Sequence, residues 1–487
     1  MTMGLRAFLS PPRTALLASI GFALCASANV YAHSDHERNT LVPPGYTHYA
    51  PSPVPDRVVL TFAGDPATSA AVSWRTDTAV ENPRAQIAPA LDGPALHQVE
   101  QTVAAASVGL TMENGAALHH SVVFEGLEPD TVYAYRVSGG NTWSEWFQFR
   151  TASDSASEFA FIYFGDAQNA IKSHFSRVIR QAYSDMPKAA LMVHAGDLVN
   201  SRDNRDDDEW GEWFDAGGWL LGMVPSVVAA GNHEFHKHEL PDGTEEQRLS
   251  PHWAPQFRLP ENGPEGLRDT VYYVDYQGTR FVVLDSTSAL NNDTVEQQAR
   301  WLETVLRDNP NRWTVVTYHH PMFSVSAGRD NPPLRDHWKP LFDRYGVDLV
   351  LQGHDHVYGR AGDNLPEGKT RFDDEIGTMY VVSVGGPKMY MVSDQARTNM
   401  TRVAEDTQLY QLVRVQHDRI LFEARTPSGR LYDSFELVKA ADGRNRLFEV
   451  LPSERRCTRP DIPGYRETRC WEGSDLIEPP AALRNAR

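Results

Sequence analysis

Cysteine is scarce, with three in 487 residues. That argues against a disulfide-rich scaffold and against a four-cysteine zinc site. Cys457 and Cys470 stand thirteen apart with no CxxC pair. Positive charge is also short: Lys and Arg total 46 against 64 Asp and Glu, a formal net charge of −18. This argues against a nucleic-acid surface or an anionic membrane as the main partner. An anionic substrate gains nothing from such an overall field, so any site for one must be positive locally. Long apolar runs are missing too. The Ala15 to Leu24 run is ten residues, short of the roughly 20 that a membrane-spanning helix needs. No internal repeat is present.

That run has a second reading. Arg6 and Arg13 precede it, and small residues follow at Ala26-Ser27-Ala28 and Val30-Tyr31-Ala32. Residues 1–32 are therefore expected to be a secretory signal and the product to be exported, periplasmic or secreted. Leu24 before Cys25 is a poor fit to a lipid-attachment site. Removing the signal leaves Cys457 and Cys470, an even count that favours a disulfide. Closing such a loop contributes roughly 3 kcal/mol in the chain-entropy model. Residues 33–54 are polar and proline-rich and read as an extended linker, with His33 and His36 in a solvated tail.

From 55 to 151 the pattern is β only. Val58 to Phe62, Ala71 to Trp74, Ser121 to Phe124 and Val132 to Val137 are short strands separated by turn residues. An all-β sandwich is expected there, with His119 and His120 as surface or core residues. From 157 to 440 strands alternate with helices, which implies a β-sandwich core flanked by helices. Phe175, Val178, Ile179 and Ala182 line one face of a helix over 171–183. Thr294 and Gln297 fit a capping box opening a helix through Leu306. The charge run from Asp203 to Glu209 reads as a solvated loop. Residues 441–487 read as an irregular extension stapled by the cysteines.

Five apolar strands of the second region end in groups that bind metals. These ends are Gly165-Asp166-Ala167-Gln168, Gly196-Asp197-Leu198-Val199-Asn200, Gly231-Asn232-His233-Glu234, Tyr318-His319-His320-Pro321 and Gly353-His354-Asp355-His356. Strand ends are where open α/β sheets gather ligands. A lone Gly-Asp is near noise; five such ends in order are a strong signal. Mixed carboxylate and imidazole donors suit Fe, Zn or Mn, whereas Ca wants oxygen throughout. A carboxylate such as Asp197 can bridge two ions about 3.5–4 Å apart. His233, beside a ligand, is free to stabilise phosphate oxygens or protonate a leaving alkoxide. His194 reads as packed, His320 as adjacent to the site, and His236, His238 and Lys388 as loop or surface residues.

The order of these motifs resembles the calcineurin-like metallophosphoesterase superfamily. With a β-sandwich before it, the chain is similar to the purple acid phosphatase branch, which carries a fibronectin-III-like domain there. The resemblance implies Asp166, Asp197 and His356 on a first metal. It implies Asp197, Asn232, His319 and His354 on a second, with His233 facing the substrate. Two places depart from the pattern. Asn200 stands where purple acid phosphatases have a tyrosine, and Gln168 where most other members have a histidine. Either could give a neutral oxygen to a first site that prefers divalent ions, and no tyrosinate–iron colour is expected. Plant-type members place a substrate histidine about ten residues beyond His319, where Arg329 lies; Arg329 reads as a phosphate grip or as an exposed loop residue.

The implied function is that of an exported two-metal phosphoesterase. It hydrolyses small phosphomonoesters by in-line attack of a water activated by the metals, as acid phosphatases do. A phosphodiesterase or nucleotide-type phosphohydrolase with the same site is the first alternative. A non-catalytic phosphate- or metal-binding protein is the second.

Overall fold

The run Phe159-Ala160-Phe161-Ile162-Tyr163-Phe164 carries no charge, and this sends it to a place covered on both faces. In the computed structural model, which describes residues 39–362, 377–449, 455–459 and 467–484, it forms the Phe159–Phe164 strand. The expected signal segment, His33 and His36 lie outside the described residues. Phe159–Phe164 pairs in parallel with Leu191–His194, which pairs in parallel with Ser226–Val228. On its other side the antiparallel strands Tyr410–Val415, Arg419–Arg425, Leu431–Lys439 and Asn445–Glu449 extend the sheet. The second sheet has Thr279–Val283, Trp313–Thr317, Leu349–Gln352 and Met379–Val382 in parallel at its centre.

Helices cover the outer faces. Ile171–Asp185 buries Ile171, Phe175, Val178, Ile179 and Ala182, the face that the sequence periodicity predicts. Val295–Arg307 buries Leu302, Val305 and Leu306 over the second sheet. Its start differs from expectation. Thr294 is the N-cap, but with helical φ and ψ its side chain caps no amide; its Oγ1 accepts from Gln298 instead. The capping box does not form, because an N-cap side chain reaches the first amides from an extended backbone.

Two tyrosine hydroxyls tie the sheets together. Tyr163 donates to the Gln352 carbonyl and accepts from the Gln352 N–H at 3.0 Å. Tyr272 does the same with both backbone groups of Val228 at 2.9 Å. The tips of the two parallel sets are thereby held side by side.

Strands from Asp56 to Arg150 form the N-terminal β-rich unit, yet its sheet does not stop at the boundary. Asp56–Thr61 pairs in parallel with Ser226–Val228 through Thr61 and Ser226, so one eleven-stranded sheet spans both units. The Tyr135 hydroxyl donates to the Gly222 carbonyl at 2.5 Å. The proline-rich arm is also docked. Tyr49 packs so tightly on Gly211 that a Cβ there would lie 2.3 Å from its ring.

The charge run meets the expectation of a solvated loop only in its first half, where Asp203 and Arg205 are exposed. Asp207 and Glu209 are buried, and Asp208–Gly217 is a helix. Asp207 accepts from Arg57 at 2.6 Å and from Arg75 at 3.0 Å, both from strands of the β-rich unit. Only a partner distant in sequence makes burial of that charge tolerable. The C-terminal extension departs from expectation as well. Asn445–Glu449 edges the large sheet, and Arg455–Thr458, Arg469–Glu472 and Asp475–Ile477 make a three-stranded sheet. Cys457 and Cys470 are disulfide-bonded across it.

Burial alone would raise the Asp207 carboxyl, but Arg57, His252 and Arg75 outweigh it and hold it well below the usual range. A carboxyl depressed in the fold stabilises above its unfolded pKa, near 4, and that contribution is lost as pH falls further. Asp207→Asn leaves the buried Arg57 without its carboxylate, while Arg75 keeps its pair with Asp56 at 2.6 Å, and is expected to cost about 3–5 kcal/mol. Urea unfolding at pH 7 measures that loss. The difference between wild type and variant should shrink as pH falls below about 4.

Candidate metal centre

Two of the five strand ends turn sharply through left-handed backbone. Gly196 has φ +87°, in the left-handed region, and Asp197, His354 and His356 have φ of 51°, 73° and 53°. Non-glycine residues in that region are held there by their surroundings and cluster at functional sites. The other glycines serve by being small, not by turning. A Cβ on Gly231 would lie 2.2 Å from Asp197 Oδ1, and one on Gly353 would lie 2.4 Å from Asp166 Oδ2. Backbone from one strand end thus packs on the carboxylate of another.

These turns bring the six expected metal ligands together. Asp197, His319 and His354 offer donor atoms all within 4.8 Å of one another, as do Asp166, Asp197 and His356. Asp197 belongs to both sets. Its Oδ2 lies 3.0 Å from His319 Nε2, and Asp166 Oδ1 lies 3.7 Å from His356 Nε2. Asn232 Oδ1 and His354 Nδ1 each lie 3.2 Å from His319 Nε2. Two overlapping donor sets sharing a carboxylate fit a pair of ions.

The imidazoles are oriented by backbone carbonyls. His319 Nδ1 donates to Ala195 O at 2.9 Å, and His356 Nδ1 to Lys388 O at 3.0 Å. A carbonyl only accepts, so these bonds fix the Nδ1–H tautomer and aim Nε2 inward. His354 faces the centre through Nδ1, packed beside His320 with ring centroids 4.2 Å apart. His320 itself bonds Ser286 Oγ at 2.9 Å and stands behind the ligands.

The centre is nearly dry, and its charges answer one another. Burial, with the Asp197 charge opposing that of His319, pushes Asp166 up to about 7. Burial would lower His319, but Asp197 and Asp166 raise it to about 9. Burial carries His354 and His356 well below the usual histidine range. Cations bound among these groups would compete with the protons they now share.

His233 lies at the rim. Its Nδ1 donates to the Asn200 carbonyl, its backbone N–H donates to Asp197 Oδ1 at 2.8 Å, and its Nε2 is 3.9 Å from Asp197 Oδ2. Burial brings the ring down to about 4. Gln168 is fully buried and its Nε2 reaches Asp197 Oδ2 at 2.7 Å. Asn200 meets His233 through its backbone. Arg329 is not aimed at the ligand atoms: it donates to the His354 carbonyl and to Asp355 Oδ1 and lies over Tyr390. It braces the last ligand loop.

Three contributors carry no role in the sequence reading. Glu234 is buried, and its carboxylate accepts from the N–H groups of Gly231, Asp197 and Leu198 at 2.6, 2.9 and 2.8 Å. It locks two ligand loops together. Asp355, between the two ligand histidines, accepts from Val325 and Ser326 N–H. Both acids sit inside the motifs, but their buried amide partners are invisible in sequence. Arg202 is exposed, with a guanidinium nitrogen 3.5 Å from His233 Nε2. Its place two residues after Asn200 was the one available signal.

Both units have counterparts among known proteins. Residues 55–151 match the purple acid phosphatase N-terminal domain family, and residues 160–358 match the calcineurin-like phosphoesterase family. An uncharacterized Mycobacterium tuberculosis protein is 27% identical over 338 residues, covering 62% of this chain and 61% of its own length. Mouse acid phosphatase type 7 is 26% identical over 338 residues, covering 64% of this chain and 71% of its own. The structure of purple acid phosphatase PPD1 from yellow lupin seeds superposes with a TM-score of 0.65 at 19% identity, over 80% of this chain and 75% of that one. The chain belongs to the purple acid phosphatase branch of the calcineurin-like phosphoesterases.

Proposed function

We propose that the protein is an exported, two-metal phosphoesterase that hydrolyses phosphomonoesters. The observation that carries the reading is the Asp197 carboxylate shared between two donor sets. Asp166, Asp197 and His356 would hold the first ion, and Asp197, Asn232, His319 and His354 the second. Two bound ions would supply positive charge for phosphate oxygens and lower the pKa of a bound water. The chain's own residues do the rest. The Nδ1–H bond to Asn200 pins His233, so Nε2 is the atom it turns toward substrate. Arg202 beside it offers a fork of donors to phosphate oxygens. A monoester dianion carries one more charge than a diester, and the exposed Arg202 supports the monoester reading. The N-terminal signal pattern and the Cys457–Cys470 disulfide support export.

A chromogenic monoester and a diester, assayed side by side with Mn, Zn and Fe, test the reaction. Faster diester turnover would overturn the monoester assignment, and no turnover of either with two ions bound would overturn the enzyme. Asn232→Ala is expected to lose activity together with one ion per chain, measured by elemental analysis. His233→Ala should keep both ions and lower kcat by about 10²-fold or more. Arg202→Ala should raise KM for the monoester by about 10-fold with a smaller change in kcat, as expected for a group that binds ground state and transition state alike.

A further inference from the structure

We propose that Gln168 supplies an amide-oxygen ligand to the first ion, and that the centre so completed selects two divalent ions over a trivalent–divalent pair. This rests on the two-ion reading above. Gln168 lies two residues beyond Asp166, and its backbone N–H is tied to the Asp197 carbonyl at 3.2 Å. Its side chain is fully buried. The terminal amide points into the first donor set, 2.7 Å from Asp197 Oδ2 and 3.1 Å from His356 Nε2. His356 Nδ1 already donates to Lys388 O, so His356 Nε2 offers a lone pair. Gln168 Oε1 is buried with no hydrogen-bond partner. Rotation about the last side-chain bond carries Oε1 to the place of Nε2. There it joins Asp166, Asp197 and His356 as a fourth donor.

Asn200 does not compete for the position. Its backbone N–H is taken by Glu209 and its carbonyl by His233. Among the described residues no hydrogen bond joins its side chain to Asp166, Asp197 or His356.

Charge then sets the preference. The donors are two carboxylates, Asp166 and Asp197, plus neutral imidazoles and amides. Two divalent ions leave the buried cluster at +2, while a trivalent ion with a divalent one leaves +3. Uncompensated charge in a dry site is costly, and no third anionic ligand is among the proposed donors.

The test is metal binding by the full chain in chelator-buffered solutions of Zn²⁺, Mn²⁺ and Fe³⁺, with content read by elemental analysis. Wild type should hold two divalent ions and keep them against Fe³⁺. Gln168→Ala should bind the first ion at least about 10–100-fold more weakly, the range for losing a group that only hydrogen-bonds a ligand. Asn200→Ala should keep both ions. Gln168→Glu, nearly the same shape with one more negative charge, should shift the first site toward Fe³⁺, and it decides the matter even where the alanine variant fails to fold. Wild-type affinity in Gln168→Ala, loss of an ion in Asn200→Ala alone, or an unchanged metal preference in Gln168→Glu overturns the proposal. Phosphatase assay of the same samples separates the two readings. Gln168-dependent binding without hydrolysis by the wild type overturns the phosphoesterase reading alone. Hydrolysis by a wild type whose Gln168→Ala variant keeps both ions at full affinity overturns this one alone.

Discussion

Two carboxylates, Asp166 and Asp197, are held almost wholly out of water within a few ångströms of each other. Like charges in a low-dielectric site repel strongly. Only positive charge settles them, whether from the His319 ring or from metal cations. The surrounding loops are built to hold this unfavourable cluster in one geometry. Glu234 gathers amides from two loops, Asp355 gathers amides from a third, and glycines let backbone approach the carboxylates without a Cβ. The candidate ligands Asp197, His354 and His356 even adopt left-handed backbone.

Rigidity for those loops comes from the sheets beneath them. The Tyr163 and Tyr272 hydroxyls cross from one sheet to the other directly under the site. The β-rich N-terminal unit adds to this support because its first strand continues the catalytic sheet. Asp207, pinned between Arg57 and Arg75, joins that unit to the helix whose Glu209 accepts the Asn200 N–H. The same Asn200 carbonyl orients His233. A line of buried polar contacts therefore runs from the N-terminal strands to His233 at the rim of the centre.

Much of this was legible in the sequence. The Phe159–Phe164 strand appears where its unbroken apolar run predicts, and the Ile171–Asp185 helix buries the face its spacing predicts. The five strand ends carry their candidate ligands in plain view, since metal donors are few in kind and four of the five ends hold a glycine beside them. The second half of the charge run departs from its solvated reading because the partners of Asp207, Arg57 and Arg75, lie well over a hundred residues away. The capping box failed for a local reason, the helical backbone of Thr294. Arg329 holds the position of a substrate grip, yet its guanidinium is spent on the His354 loop.

By itself the sequence determined the apolar strands, the buried helix faces and the set of candidate metal donors, because hydrophobic period and donor chemistry are local properties. Tertiary structure alone decided which carboxylate is shared, which ring nitrogen faces the centre, and which of Gln168 and Asn200 points into it. Those are matters of ångströms between strand ends from two sheets. They depend on buried hydrogen bonds whose partners are distant in the chain.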